Sequence, residues 1–364
     1  MTTLIEINRR EEVPRWLGYA IPVITVLAAL VVGAVPLVMI KANPVTVYWD
    51  MFVGSVTDLG TIIDLFVRAV PLFLAALAVY VPLKAGLWNI AVEGQLYLGG
   101  IAGLWFGVTY EAPVYVLVPA MAIVAIIVGA ITGWVPAYLR SKYDINEIII
   151  TLMITFAATE FNTFMVRGPL QASGAGRVPV SETLPTFAQI PPLGDTDLHY
   201  GVLILLIGAV GVYYLIERTS LGYEISMTGE GPMAVEGSPI SKHRIFILTM
   251  VIGGAIASLA GMIQIAGVRT NVVAHWSPQY GFIAIPIALL GIKSAFRILL
   301  ASLFFALLFV GGNSVTVTSS IPFSIVNILI ALIFLFLITS EFFKRFSVSF
   351  EPNFAAPTGT DANE

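Results

Sequence analysis

The stretch Lys84–Gly99, KAGLWNIAVEGQLYLG, sets one carboxylate and two carboxamides, Glu93, Asn89 and Gln95, in an otherwise apolar run. Asn89 and Glu93 are four residues apart, so a helix through both would put them on one face. A carboxylate in hydrocarbon costs at least about 2–3 kcal/mol, so it turns towards a bundle interior or a wet cavity. Gly94 beside it leaves room for a second backbone to come close. Two readings follow: a packing hinge whose polar groups bond neighbouring helices, or the wall or gate of a transport pathway. The second is the expectation.

A second polar stripe runs through INEIIITLMITFAATEFNTFMV, where Glu147, Thr151, Thr155, Thr159 and Thr163 recur every fourth residue, joined by Glu160 and Asn162. Such a stripe belongs on a lumen or on an interhelical seam, and threonine in membrane helices also bonds its own backbone. Asn146 and Glu147 are the stronger part of it. Asp64 and Arg68 are four apart and are read as a neutralising pair. The sequence has no GK dipeptide and so no Walker A loop, no HExxH, no nucleophile elbow and no EF-hand loop. With no catalytic constellation, the chain reads as a non-enzyme.

The elements that position these residues are membrane spans. Of 364 residues, 58% are hydrophobic and 11% charged, against about 25% in soluble domains. There are no cysteines, so disulfides and thiolate metal sites are excluded, and three scattered histidines argue against a metal centre. A net charge of −4 excludes a nucleic-acid surface of any size. Arg9, Arg10 and Arg15 precede the apolar run Leu17–Ile40, which is longer than a signal h-region and reads as a retained first span.

About 20 residues cross a hydrocarbon core. On that measure ten spans are expected, near 18–40, 61–83, 87–109, 113–138, 145–166, 200–216, 244–266, 280–291, 297–313 and 321–341. The eighth is short enough to be broken or re-entrant. With the N-terminus in the cytoplasm, 13 of the 18 Lys and Arg residues fall in cytoplasmic segments, so both termini are expected inside. This divides the chain into a cytoplasmic N-terminus, 1–16, a transmembrane domain, 17–345, and a polar tail, 346–364, expected to be disordered. The long loops are 168–199 outside and 217–243 inside. Small residues at every fourth position, Gly99, Gly103 and Gly107, then Ala125, Gly129 and Gly133, then Gly253, Ala257 and Gly261, read as close helix contacts.

Asn89–Gln95 (NIAVEGQ), Asn146–Met153 (NEIIITLM), the loop Thr219–Ser238 and Gly281–Gly291 (GFIAIPIALLG) occur in that order. Together they resemble the permease subunits of simple-sugar and nucleoside importers of the ATP-binding-cassette class, in the superfamily of branched-chain amino acid and ribose permeases. The resemblance runs from about Ala85 to the last helix. It departs at Trp88 and at Ala91–Val92, where relatives often carry Phe and glycine-rich pairs.

The resemblance implies an all-α bundle in a prokaryotic plasma membrane that moves a simple sugar or nucleoside by alternating access. Its implied partners are separate ABC ATPase subunits that bind the ATP, a second permease subunit, an external solute-binding protein and membrane lipid. No cofactor is held by the chain itself. Loop 217–243 would couple to the ATPase through Gly229, Glu230, Pro232, Ala234 and Gly237, and loop 168–199 would dock the binding protein. The candidate pathway residues are Asn89, Glu93, Gln95, Asn146, Glu147, Thr151, Phe161, Asn162 and Gln264, with Asn89, Glu93, Gln95, Asn146 and Glu147 resting on the family motifs. The alternative is a secondary transporter driven by an ion gradient, with Glu93 or Glu160 as the titrating group.

Overall fold

A computed structural model of the chain describes all residues except 1–3, 10–14, 175, 177, 195, 232–234, 236–238, 293, 320 and 352–364. The described chain is helical apart from two short strands. In order the elements are β1 (Leu4–Arg9), α1 (Arg15–Met39), α2 (Pro44–Phe52), α3 (Leu59–Lys84), α4 (Val92–Thr109), α5 (Val114–Tyr143), α6 (Glu147–Arg167) and α7 (Leu203–Arg218). There follow α8 (Ser220–Glu230), α9 (Lys242–Gln264), a π-helical turn (Ile265–Arg269), α10 (Tyr280–Leu290), α11 (Ala295–Thr318), α12 (Phe323–Arg345) and β2 (Phe346–Glu351). A helix therefore lies under each of the ten segments marked in the sequence. Among the described residues, six are long and apolar enough to cross a bilayer: α3, α5, α6, α7 with its leading turn, α9 with the π turn, and α11. At about 1.5 Å per residue the 11 residues of α10 rise roughly 16 Å, half a crossing.

The chain forms two units, Val45–Ser320 and the combination of Met1–Pro44 with Ile321–Glu364. In the second unit α1 packs on α12, and β1 pairs antiparallel with β2. The alternation Phe346, Val348, Phe350 against Ser347 and Ser349 has the period of a strand. It is in register with Ile5 and Ile7, opposite Phe350 and Val348. The head of the polar tail is thus extended and paired. Residues 352–364 lie outside the described residues.

In the larger unit α9 is the central helix, packed along α5, α4 and α3. The small-residue stripes make that contact possible. A methyl group on Gly99 or Gly261 would run into the Ser258 or Leu96 carbonyl across the α4–α9 seam, and one on Gly129 or Gly133 into Gly254 or Met250 across α5–α9. These helices touch backbone to backbone, as expected where lipid supplies no hydrophobic drive.

Asp64 and Arg68 do not form the pair expected of them. Asp64 is exposed, and Arg68 hydrogen-bonds the buried Tyr280 side chain instead. Among the described residues the ion pairs within 4.0 Å join Arg140 to Asp144 and to Glu147. Helical spacing made Asp64 available to Arg68, but α10 offered a buried hydroxyl, where a charge-assisted bond is worth more than one at the surface.

Gly99→Leu is expected to cost at least about 1–3 kcal/mol by overpacking. It should lower the melting temperature of the purified protein and its monodisperse yield in detergent, while Gly211→Leu, at a position facing open space, should leave both unchanged.

Candidate functional site

The first residues of α10, Tyr280 and Gly281, are buried, and the N-terminal neighbour Gln279 supplies no side-chain cap. Two other side chains meet their N–H groups, and a third holds the turn before them. Ser277 Oγ accepts from the Tyr280 N–H at 3.3 Å, and Glu93 Oε2 accepts from the Gly281 N–H at 2.6 Å. The Ser277 hydroxyl donates to the Glu93 carboxylate, and the Ser277 N–H donates to the Tyr97 hydroxyl at 3.3 Å. Glu93 also sits in the first turn of α4, so two helix N-termini face one carboxylate. Gly281 has no side chain because one would overlap the Glu93 backbone. The two glycine-bearing motifs thus meet at one contact.

Asn89 does not share a helix face with Glu93. α4 begins at Val92, and Asn89 lies in the turn before it, its Oδ1 accepting from the Ala91 N–H at 3.2 Å. An asparagine that can bond the backbone two residues on favours the turn over the helix. Its Nδ2 donates to Gln95 Oε1 at 3.1 Å. The Gln95 backbone carbonyl accepts from Ser258 Oγ at 2.8 Å, tying α4 to α9.

On α6, Asn146 caps its own helix by accepting from the Ile148 N–H at 2.9 Å. Glu147 bridges Arg140 at 3.3 Å and accepts from the Trp88 N–H at 3.4 Å. Thr151, Thr159 and Thr163 bond carbonyls of their own helix, whereas Thr155 also reaches the Ile90 carbonyl at 3.0 Å. Gly94 admits that approach, since a methyl there would lie 2.7 Å from the Thr155 Cα. Asn162 Nδ2 donates to the Val273 carbonyl at 3.1 Å, holding the loop between the π turn and α10.

Seven of the nine candidate pathway residues, Asn89, Glu93, Gln95, Glu147, Thr151, Asn162 and Gln264, are buried. Asn146 and Phe161 are exposed. The structure brings Asn89, Glu93 and Gln95 together beside α9 and α10. Asn146 and Glu147 sit with Trp88 and the turn that leads into α4, and Phe161 packs instead on Phe164 of its own helix.

Sequence reasoning leaves Tyr97, Trp276, Ser277 and Tyr280 unmarked, yet Ser277 caps the Tyr280 N–H, Tyr97 holds the Ser277 N–H, and Trp276 packs edge-on against Tyr97. The available signal is Ser277, a capping residue type four positions before the motif glycine, Gly281.

With this geometry in view, residues 61–338 match the family described as "Branched-chain amino acid transport system / permease component". The chain belongs to that family. It is 45% identical to the glucose ABC transporter permease protein TsgB13 of Haloferax volcanii, over 96% of this chain and 94% of that one. It is 30% identical to the nucleoside ABC transporter permease protein NupB of Lactococcus lactis, over 87% and 90%. With the guanosine ABC transporter permease protein NupP of Bacillus subtilis the identity is 28%, over 88% and 93%.

In this permease chain the end of the bundle that carries Glu147 and Trp88 also carries α8. Gly229, one residue from the end of α8, rests on the turn after α3, where a side chain would overlap the Lys84 carbonyl and crowd Gly86. Glu230 is exposed beside it. Pro232, Ala234 and Gly237 lie outside the described residues.

The loop 168–199 ends in His199, buried against Gly201 and Gly267 of the π turn. Burial holds its imidazole below the ordinary value of 6.5. The native state therefore keeps His199 neutral where the unfolded chain takes up a proton, and stability present above the ordinary histidine value is lost as pH falls below it.

Two outcomes are expected. Glu93→Ala should remove about 1–2 kcal/mol of α10 capping, seen as a lower melting temperature that Glu93→Gln, which keeps an acceptor oxygen, largely restores. His199→Phe should flatten the fall in melting temperature between about pH 7.5 and 5.5.

Proposed function

We propose that this chain is a membrane subunit of an ATP-binding-cassette importer that takes up a simple sugar or a nucleoside. The observation that carries the reading is full-length similarity to permeases named for glucose and for nucleosides. Its partners are then separate ATPase subunits, which bind and hydrolyse the ATP, a second permease subunit, and an external solute-binding protein that loop 168–199 meets. Its place is the plasma membrane of a prokaryote, with both termini inside. Clustering of basic residues supports that orientation. Lys84 and Arg218 belong to the ends of α3 and α7 that meet α8, and Arg140 and Lys142 end α5 beside Glu147, which holds the Trp88 N–H at the same end, as cytoplasmic loops require.

The contact of Gly229 with the Lys84–Gly86 turn supports a coupling role for α8. A push on α8 reaches that turn directly, then Trp88, Asn89 and Glu93 within nine residues of chain. Through Glu93 it reaches the start of α10. Motion driven at the ATPase is thereby carried to the middle of the bundle by packed backbone, which transmits displacement because it is not compressible. Asn89, Glu93, Gln95, Asn162 and Gln264 form the polar part of the pathway wall.

Purified in mild detergent from its own membranes, the chain should bring down a Walker A ATPase in comparable amount. Labelled uptake by cells that contain the complex should be competed by unlabelled glucose or by guanosine, and the effective competitor names the cargo class. Uptake that persists with no ATPase bound would overturn the reading in favour of an ion-driven carrier.

A further inference from the structure

The segment between α9 and α10 is built unlike a resting connection. α9 does not end at Gln264 but widens into the π turn Ile265–Arg269, a distortion frequent at functional positions. Within the next ten residues Thr270, His275 and Gln279 all have positive φ, at 60°, 55° and 66°. They are three of the five non-glycine residues in that region of backbone space among the described residues. For threonine, branched at Cβ, the conformation is an outlier, and strain of this kind persists only where the surroundings impose it.

Those surroundings press Trp276 inwards. It is 2% exposed, edge-on to Tyr97 with ring centroids 5.2 Å apart, and its ring lies over Gly100, where a methyl would stand 3.2 Å from it. Its indole N–H is buried and, among the described residues, meets no acceptor. A buried donor without a partner is held at a cost. Asn162, which ties down the same loop through Val273, likewise has a buried Oδ1 without a donor. Next in the chain come Ser277 and Tyr280 with the Glu93 cap.

We propose that Trp276 contacts the cargo. In the seat described it closes the outer half of the pathway, and when the 270–279 loop swings away its indole N–H is offered to a hydroxyl or ring oxygen of a sugar or nucleoside. The proposal rests on the importer reading and names a specificity-determining residue for it. The physics gives the direction. Backbone strain and an unmet N–H both disfavour the closed seat, and an acceptor on the cargo stabilises only the open one. A ligand shifts a conformational equilibrium by that kind of differential contact and by no other means. Tyr97, which Trp276 covers edge-on, then supplies a ring face suited to a sugar or a base.

The chain has no cysteine, so single reporters can be placed without background. Two measurements on the full chain in its native complex test the proposal. The first is uptake of labelled cargo by wild type and Trp276→Phe, which keeps an aromatic ring and loses the N–H. A KM raised about tenfold with the maximal rate within about twofold is expected from loss of one hydrogen bond. The second is labelling of Ala274→Cys, a half-buried position two residues from Trp276, by a membrane-impermeant maleimide added outside. Saturating glucose or guanosine, whichever competes for uptake, should change its rate severalfold. An unchanged KM in Trp276→Phe together with a labelling rate indifferent to cargo overturns the proposal and leaves the importer reading intact. Absence of any sugar or nucleoside uptake by the wild-type complex overturns both. Should Trp276→Phe fail to assemble with its partners, the labelling rate alone decides.

Discussion

Water is missing from the middle of a bilayer, so a helix that begins there must find acceptors for its first N–H groups within the protein. α10 starts at buried residues, Tyr280 and Gly281, and faces the same demand, and the Glu93 carboxylate is the strongest acceptor it has, at 2.6 Å from the Gly281 nitrogen. The contact also works in reverse. A carboxylate that must be buried is held by two helix N-termini and a serine hydroxyl, which offset its desolvation. Each therefore stabilises the other in its position. The arrangement of α4 against α10 follows from that mutual need.

Holding the carboxylate there demands close backbones, and the rest of the larger unit supplies them. Gly99 and Gly261 bring α4 against α9, Gly94 brings it against α6, and Gly281 lets α10 reach Glu93 at all. Once helices touch without intervening side chains, a shift of one is a shift of its neighbour. The Gly229 contact on the Lys84–Gly86 turn is of the same close kind. Strain is concentrated instead in the connection between α9 and α10. There the π turn, the strained Thr270, His275 and Gln279, and the unmet Trp276 N–H are gathered in one segment.

Much of this was legible beforehand. Hydropathy placed ten segments, each of which is helical, because backbone satisfaction in hydrocarbon leaves few alternatives to a helix. The glycine stripes announced close approach, and the motif carboxylates Glu93 and Glu147 announced interior positions, since neither is tolerable against lipid. The shared face of Asn89 and Glu93 was misread because spacing assumes a helix that Asn89 itself prevents, by bonding the Ala91 N–H. The Asp64–Arg68 pair was misread because spacing knows nothing of a better partner arriving from another helix.

Composition and local chemistry, then, settled that the chain spans a membrane, where its helices run, and which residue types sit inside the bundle, all of them consequences of local free energies. Partnership was decided elsewhere. That Glu93 caps α10 across a separation of 188 residues, that Arg68 turns to Tyr280, and that Trp276 is shut in against Tyr97 depend on which helices become neighbours. Neighbours are chosen by the packing of the whole unit, where many small-residue contacts are satisfied at once, and no spacing within one segment encodes that choice.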